Sequence, residues 1–173
     1  SRRADADDDR GGEPAPRPLE QRPGFTADGK PRVLCVDDDE MILESLRVTL
    51  RRGFHVLTAT SGEQGLRVLR AEGPVVAVLS DMRMPGMDGA TFLSRVKDRA
   101  PETVRMLLTG FAELDAAAKA VNEGEIFRFL TKPCPPPQLI MAFRAAVRQH
   151  ALVTAEQVLL EQTLHGSIKA LVD

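Results

Sequence analysis

No tryptophan or tyrosine occurs among the 173 residues, and there are only two cysteines and three histidines. Cys35 and Cys134 lie far apart, without the Cys-x-x-Cys spacing of a redox or zinc site. Both are therefore expected to be reduced thiols, Cys35 as a small core filler. His55, His150 and His165 are scattered, which leaves little for a His-rich metal cluster or a Ser-His-Asp triad and makes each an ordinary surface or helix residue. An excess of one charge is lacking too: 23 basic against 25 acidic residues give −2, so no global basic field draws the chain onto nucleic acid. No apolar run approaches the roughly 18 residues that cross a bilayer, so no membrane association is expected. No charged-then-apolar leader opens the chain, and Ser1 at its head reads as a processed start rather than a secretory one. A soluble, cytoplasmic protein is expected.

Residues 1–30 carry six basic and seven acidic residues with four Pro and four Gly, and only Leu19 and Phe25 among the larger apolar types. Such a segment buries too little apolar surface to offset its ordering entropy, so it reads as a disordered tail, the run Asp7-Asp8-Asp9 included. From Arg32 onward short apolar runs alternate with helical periodicity. The runs are Val33–Val36, His55–Ala59, Val75–Leu79, Val104–Leu108 and Phe127–Leu130, with helices expected near 40–52, 62–72, 89–99, 112–122 and from 137 onward. Thr60 or Ser61 is placed to cap the second helix and Asp88 the third. Successive β-α units imply a parallel sheet with helices on both faces. Ligands in such sheets gather at the carboxyl ends of the strands.

Those ends carry the chemistry. Asp37, Asp38 and Asp39 follow the first run, Asp81 the third, Thr109 the fourth and Lys132 the fifth. If the first and third strands are neighbours, Asp37, Asp38 and Asp81 crowd one pocket. Two carboxylates 4 Å apart repel by about 4 kcal/mol at an effective dielectric of 20, so the cluster needs a cation or a proton. All-oxygen ligands favour a hard ion such as magnesium, which often bridges carboxylates to phosphate. Lys132 offers a point charge and Thr109 a hydroxyl donor to phosphoryl oxygens. Taken singly, an acidic triplet is more often a helix-capping loop and a Lys-Pro a turn. Their order along one sheet is what points to phosphoryl transfer.

These stretches resemble the receiver domain of bacterial two-component response regulators. The matching segments are Val33-Leu34-Cys35-Val36-Asp37-Asp38-Asp39, Ser80-Asp81-Met82-Arg83-Met84-Pro85-Gly86-Met87-Asp88-Gly89, Leu107-Leu108-Thr109-Gly110 and Phe129-Leu130-Thr131-Lys132-Pro133. The resemblance implies a flavodoxin-like doubly wound α/β fold with five parallel strands in the order 2-1-3-4-5, extended by a C-terminal helix. It implies that Asp81 accepts a phosphoryl group from a sensor histidine kinase or phosphotransfer protein. Asp37, Asp38 and Asp81, with the backbone carbonyl of Arg83, would hold Mg2+, and Thr109 and Lys132 would contact phosphoryl oxygens. A cis Lys132-Pro133 bond belongs to the same expectation. Phe129, three places before the lysine, would turn inward as Thr109 moves, although Phe127 and Phe129 alternate on a strand and would pack in any case. Asp39 falls outside the matched pair. Such a chain is a signalling switch rather than a turnover enzyme, limited to its own phosphorylation and slow autodephosphorylation.

The domain division expected is a tail over 1–30, a receiver over 31–150 and a helical linker over 151–173 that leads towards an output domain beyond this sequence. Leu139, Phe143, Ala146, His150, Val153, Gln157, Leu160 and Leu164 fall alternately four and three apart, a heptad-like stripe. It reads as a homodimer seam or as an amphipathic helix packing on a downstream domain, with Gly166 weakening its continuity. The tract Phe127–Cys134 and the stretch Leu160–Lys169 resemble response regulators with an HD-type phosphohydrolase-like output domain. None of the His-Asp metal motifs of such a domain is present, so hydrolysis is not expected. Two rival readings remain: a stand-alone magnesium phosphohydrolase with Asp81 as covalent nucleophile, for which no P-loop, lid or second catalytic acid is evident, and an interaction module that is never phosphorylated.

Overall fold

The computed structural model describes residues 22–113, 115, 117 and 125–172. Five strands, β1 (Arg32–Val36), β2 (His55–Ala59), β3 (Ala77–Asp81), β4 (Val104–Thr109) and β5 (Arg128–Thr131), form one parallel sheet in the order β2-β1-β3-β4-β5. Helices α1 (Glu40–Leu50), α2 (Gly62–Glu72), α3 (Gly89–Arg99) and α4 (Pro136–Val172) cover both faces. The alternation of side chains along each strand decides which face they serve. Val33 and Cys35 join Leu79, Met106 and Leu108 under Leu43, Leu46 and Leu50 of α1 and Leu139, Phe143 and Ala146 of α4. Leu34 and Val36 join Val78 and Leu107 against Leu66 of α2 and Phe92, Leu93 and Val96 of α3. Phe92 and Phe143, fully buried on opposite faces, each contribute about 1.5–3 kcal/mol of apolar transfer free energy.

The helix starts follow local chemistry. Asp39 caps α1 by accepting from the Met41 amide at 2.9 Å, and Asp88 caps α3 by accepting from Thr91 at 2.8 Å. Of the two candidates for α2, Ser61 is the cap, its hydroxyl 3.1 Å from the Gln64 amide. Gln64 returns its carbonyl to the Thr60 amide and hydroxyl at 2.6 and 2.8 Å, closing a box of reciprocal bonds.

Some boundaries shift. The third strand was expected over Val75–Leu79 but runs Ala77–Asp81, because its register pairs Val33 with Ala77, Val36 with Ser80 and Asp81 with Leu108. Asp81 therefore sits inside the buried end of the ladder rather than beyond it. Residues 22–30, expected as part of the tail, fold onto the domain. Gly24 accepts from the Arg32 amide at 2.8 Å, Phe25 bridges to Pro31 and packs on the core, and its ring lies 6.4 Å from His150. A single aromatic anchor and a few backbone bonds outweigh the polar composition there. The remainder of the expected tail, 1–21, lies outside the described residues, as does most of the helix expected near 112–122; Phe111–Glu113 form one 3-10 turn.

The C-terminal stripe divides in two. Leu139, Phe143, Ala146 and His150 are buried in the receiver domain, whereas Leu160 and Leu164 are 58% and 63% exposed, as are Leu152 and Leu159 beside the stripe, at 67% and 64%. With 37 residues, α4 is about 55 Å long at 1.5 Å per residue, so its second half extends past the sheet it packs on.

Candidate functional site

β1 and β3 are adjacent, so their carboxyl ends bring Asp37 and Asp81 side by side, and Lys132 arrives just after β5. Carboxylate oxygens of Asp37, Asp38 and Asp81 all lie within 4.8 Å of one another. Asp37 and Asp81 are buried, at 2% and 7% exposure, while Asp38 faces solvent. The Lys132 ammonium stands 3.2 Å from both Asp37 Oδ2 and Asp81 Oδ1, and the Lys132-Pro133 bond is cis. Asp37 is oriented further by accepting from the Asp39 amide at 2.9 Å. The acidic triplet thus divides its labour: Asp37 and Asp38 face the cluster, and Asp39 caps α1.

Burial first, and then the neighbouring Asp37 charge, push the Asp81 carboxyl above its usual range against the pull of Lys132. Burial alone would depress the Lys132 ammonium, but Asp37 and Asp81 outweigh it and hold Lys132 above its usual value. Three carboxylates against one ammonium leave two unbalanced negative charges. That donor set, all oxygen and short of a divalent positive charge, fits Mg2+.

Thr109 ends β4 fully buried, but its hydroxyl is not on Asp81. It lies 3.3 Å from the Gly110 carbonyl and 3.5 Å from Glu113 Oε2. The Arg83 side chain turns outward to Glu113, Nε to Oε1 at 3.1 Å. Phe129 is half-buried on β5 at the margin of the core that faces α2 and α3. Glu113 was no candidate in the sequence: a glutamate in a loop carries no motif, and only its position four residues after Thr109 hinted at a shared turn. Gly89 stands in the sequence as the last residue of the stretch Ser80–Gly89. A Cβ there would overlap the Asp81 carbonyl oxygen, so the backbone that carries Asp81 is seated directly against the first residue of α3.

The family model described as the response regulator receiver domain matches residues 33–144. The hydrogenase transcriptional regulatory protein HoxA of Cupriavidus necator is 38% identical over 126 residues, which cover 73% of this chain and 26% of that protein. The signal receiver domain of an HD domain-containing protein from Pseudomonas fluorescens superposes with a TM-score of 0.67 at 39% identity, covering 72% of this chain and 93% of that one. A response regulator receiver domain protein from Clostridium thermocellum gives 0.66 at 33% identity, covering 70% and 98%. The chain spans about a quarter of the length of the first curated relatives it matches.

Proposed function

This chain belongs to the response regulator receiver domain family, and from that premise we propose that Asp81 is its phosphoacceptor, charged by a sensor histidine kinase or phosphotransfer protein. The observation that carries the assignment is the Lys132 ammonium seated 3.2 Å from both buried carboxylates at the mouth of the sheet. An Asp81 carboxylate oxygen attacks phosphorus as the bond to the donor nitrogen breaks, and the donor leaves with its electron pair. Lys132 and Thr109 donate to phosphoryl oxygens as negative charge shifts onto them. Asp37, Asp38, Asp81 and the Arg83 backbone carbonyl would hold Mg2+, which supplies charge neutralisation between the acidic cluster and the incoming phosphoryl group. Thr109 and Phe129 would report the event by moving together. Acetyl phosphate with magnesium should add a single phosphoryl mass to the intact protein, and chelation should abolish it. Labelling that persists in chelator would overturn the reading.

The same cluster sets a stability prediction. Magnesium at tenfold its dissociation constant stabilises a folded protein by about 1.4 kcal/mol, worth about 3–6 °C for a chain of this size. The parent should show this rise in melting temperature, and Asp38→Ala should lose most of it while being at least as stable as the parent without metal, because a crowded charge has gone. An equal rise in both proteins would remove Asp38 from the metal site.

We further assign the receiver to residues 31–150, with 22–30 folded against it, and the exposed half of α4 to a linker that carries the signal onward, as a homodimer seam or against an output domain. Exposure of Leu152, Val158, Leu159, Leu160 and Leu164 within thirteen residues supports a covered face there. Two of the three similar proteins differ in output by name, one a transcriptional regulatory protein and one an HD domain-containing protein; the tract Phe127–Cys134 favours the HD type. If the seam is homodimeric, truncation after His150 should abolish dimers in sedimentation without affecting phosphorylation of Asp81, and dimers that survive truncation would place the seam elsewhere. Among the described residues no helix is long and apolar enough to cross a membrane.

A further inference from the structure

The Thr109 hydroxyl has one proton to donate, and in this structure it points towards the Gly110 carbonyl and the Glu113 carboxylate rather than to Asp81. Glu113 is held there by more than chance. It closes the 3-10 turn Phe111–Glu113, its amide donates to the Gly110 carbonyl at 3.1 Å, and its side chain is only 20% exposed. Its second oxygen is engaged by Arg83, which sits two residues after Asp81 on the loop leaving β3. The Arg83 side chain is 78% exposed, so the ion pair alone contributes little to stability. What matters is where it places the carboxylate: beside the hydroxyl that a phosphoryl group on Asp81 would need. A phosphoryl group brings close to two negative charges to the far side of that hydroxyl. It would therefore both compete with Glu113 for the donor and repel it.

We propose that Glu113 is a positioning residue that retains the Thr109 hydroxyl in the unphosphorylated chain, with Arg83 as its counter-ion, and so sets how readily the domain takes up the phosphorylated arrangement. The inference rests on the receiver reading of Asp81 and adds to it an opposing contact. Release of Thr109 from Glu113 is a cost that every phosphorylation event meets.

The test is the dissociation constant of beryllofluoride, a phosphoryl mimic, measured with magnesium by NMR titration, since the chain has no tryptophan to report binding. Removing a charged hydrogen-bond competitor should tighten binding about tenfold. Glu113→Ala should show this. Glu113→Gln, which keeps the size of the side chain and its chance of folding but loses the charge, should move in the same direction by less. In a Thr109→Ala background, Glu113→Ala should tighten binding far less, because no hydroxyl remains to be released and only the charge repulsion is relieved. A purely structural role would not shrink with the hydroxyl. Unchanged or weaker binding in both Glu113 variants, or the same tightening with and without Thr109, overturns the inference while leaving Asp81 as phosphoacceptor. A parent that binds no beryllofluoride overturns the receiver reading and this inference with it.

Discussion

Asp81→Asn is expected to take up no phosphoryl group from acetyl phosphate and magnesium, against a full single addition in the parent, and to melt at a higher temperature than the parent when metal is absent. Both effects come from one carboxylate. The amide oxygen is a poor nucleophile and carries no charge to share with Mg2+, so the loss of labelling should be complete. The gain in stability follows from the environment of Asp81: burial and the Asp37 charge raise its pKa despite Lys132, so the ionised form is disfavoured in the folded state. A carboxyl whose folded pKa lies above its unfolded value contributes stability that is fully present at acid pH and is lost as pH rises through the folded pKa. The asparagine variant has no such loss. The gap in melting temperature between variant and parent should therefore be small in acid, open as pH rises through the elevated Asp81 pKa, and shrink again when magnesium is added to the parent. Labelling of Asp81→Asn at the parental level would disprove the acceptor assignment. A gap that is constant with pH would disprove the electrostatic account of it.

The second large effect is expected from Gly89→Ala. Helix propensity alone favours alanine over glycine by roughly 1 kcal/mol, which would predict a more stable α3. The tertiary structure predicts the reverse. The added Cβ would overlap the Asp81 carbonyl oxygen and come within 2.9 Å of the Asp81 carbonyl carbon and Met82 Cα, all backbone atoms at or just past the buried end of β3. Neither side can yield by rotating a side chain. Overpacking typically costs 1–3 kcal/mol, and a clash with sheet backbone should lie at the upper end, lowering the melting temperature by about 6–12 °C. Phosphoryl uptake should fall with it, because the atoms displaced carry Asp81. Gly53→Ala, where nothing lies within 4 Å of the added carbon, is the matched control and should melt within a degree or so of the parent. Equal melting of the two variants would show that the close approach at Gly89 is not obligatory.

Asp81 and Gly89 differ in how far their roles can be read locally. Asp81 stands out in the sequence because an all-apolar run precedes it, and strands buried on both faces have that composition. The caps at Ser61 and Asp88 were legible for the same kind of reason: a short polar side chain beside a helical period satisfies amides within three residues of itself. Gly89 reads only as one glycine in a motif, since its necessity lies in the backbone of a strand eight residues earlier. Glu113 has no local signature at all. It matters because β3 and β4 are neighbours, which brings the loop carrying Arg83 against the turn after Thr109.

The heptad-like stripe from Leu139 to Leu164 shows the same division within one element. Its spacing specifies an amphipathic helix, and α4 is one continuous helix. Spacing does not say what the apolar face meets: the first half is receiver core and the second half is exposed, and only the position of the sheet under residues 139–150 separates them. Periodicity and bonds made within a few residues, then, are enough to read the alternation of strands and helices, the start of α3 at Asp88 and the identity of the groups at the strand ends. The tertiary structure decided that Asp37, Asp81 and Lys132 meet within 3.2 Å contacts, that the Thr109 hydroxyl turns to Glu113 and that Phe25 returns to the core. Those outcomes depend on which strands become neighbours and in what register, and that choice is made by long-range packing between segments whose local patterns are alike.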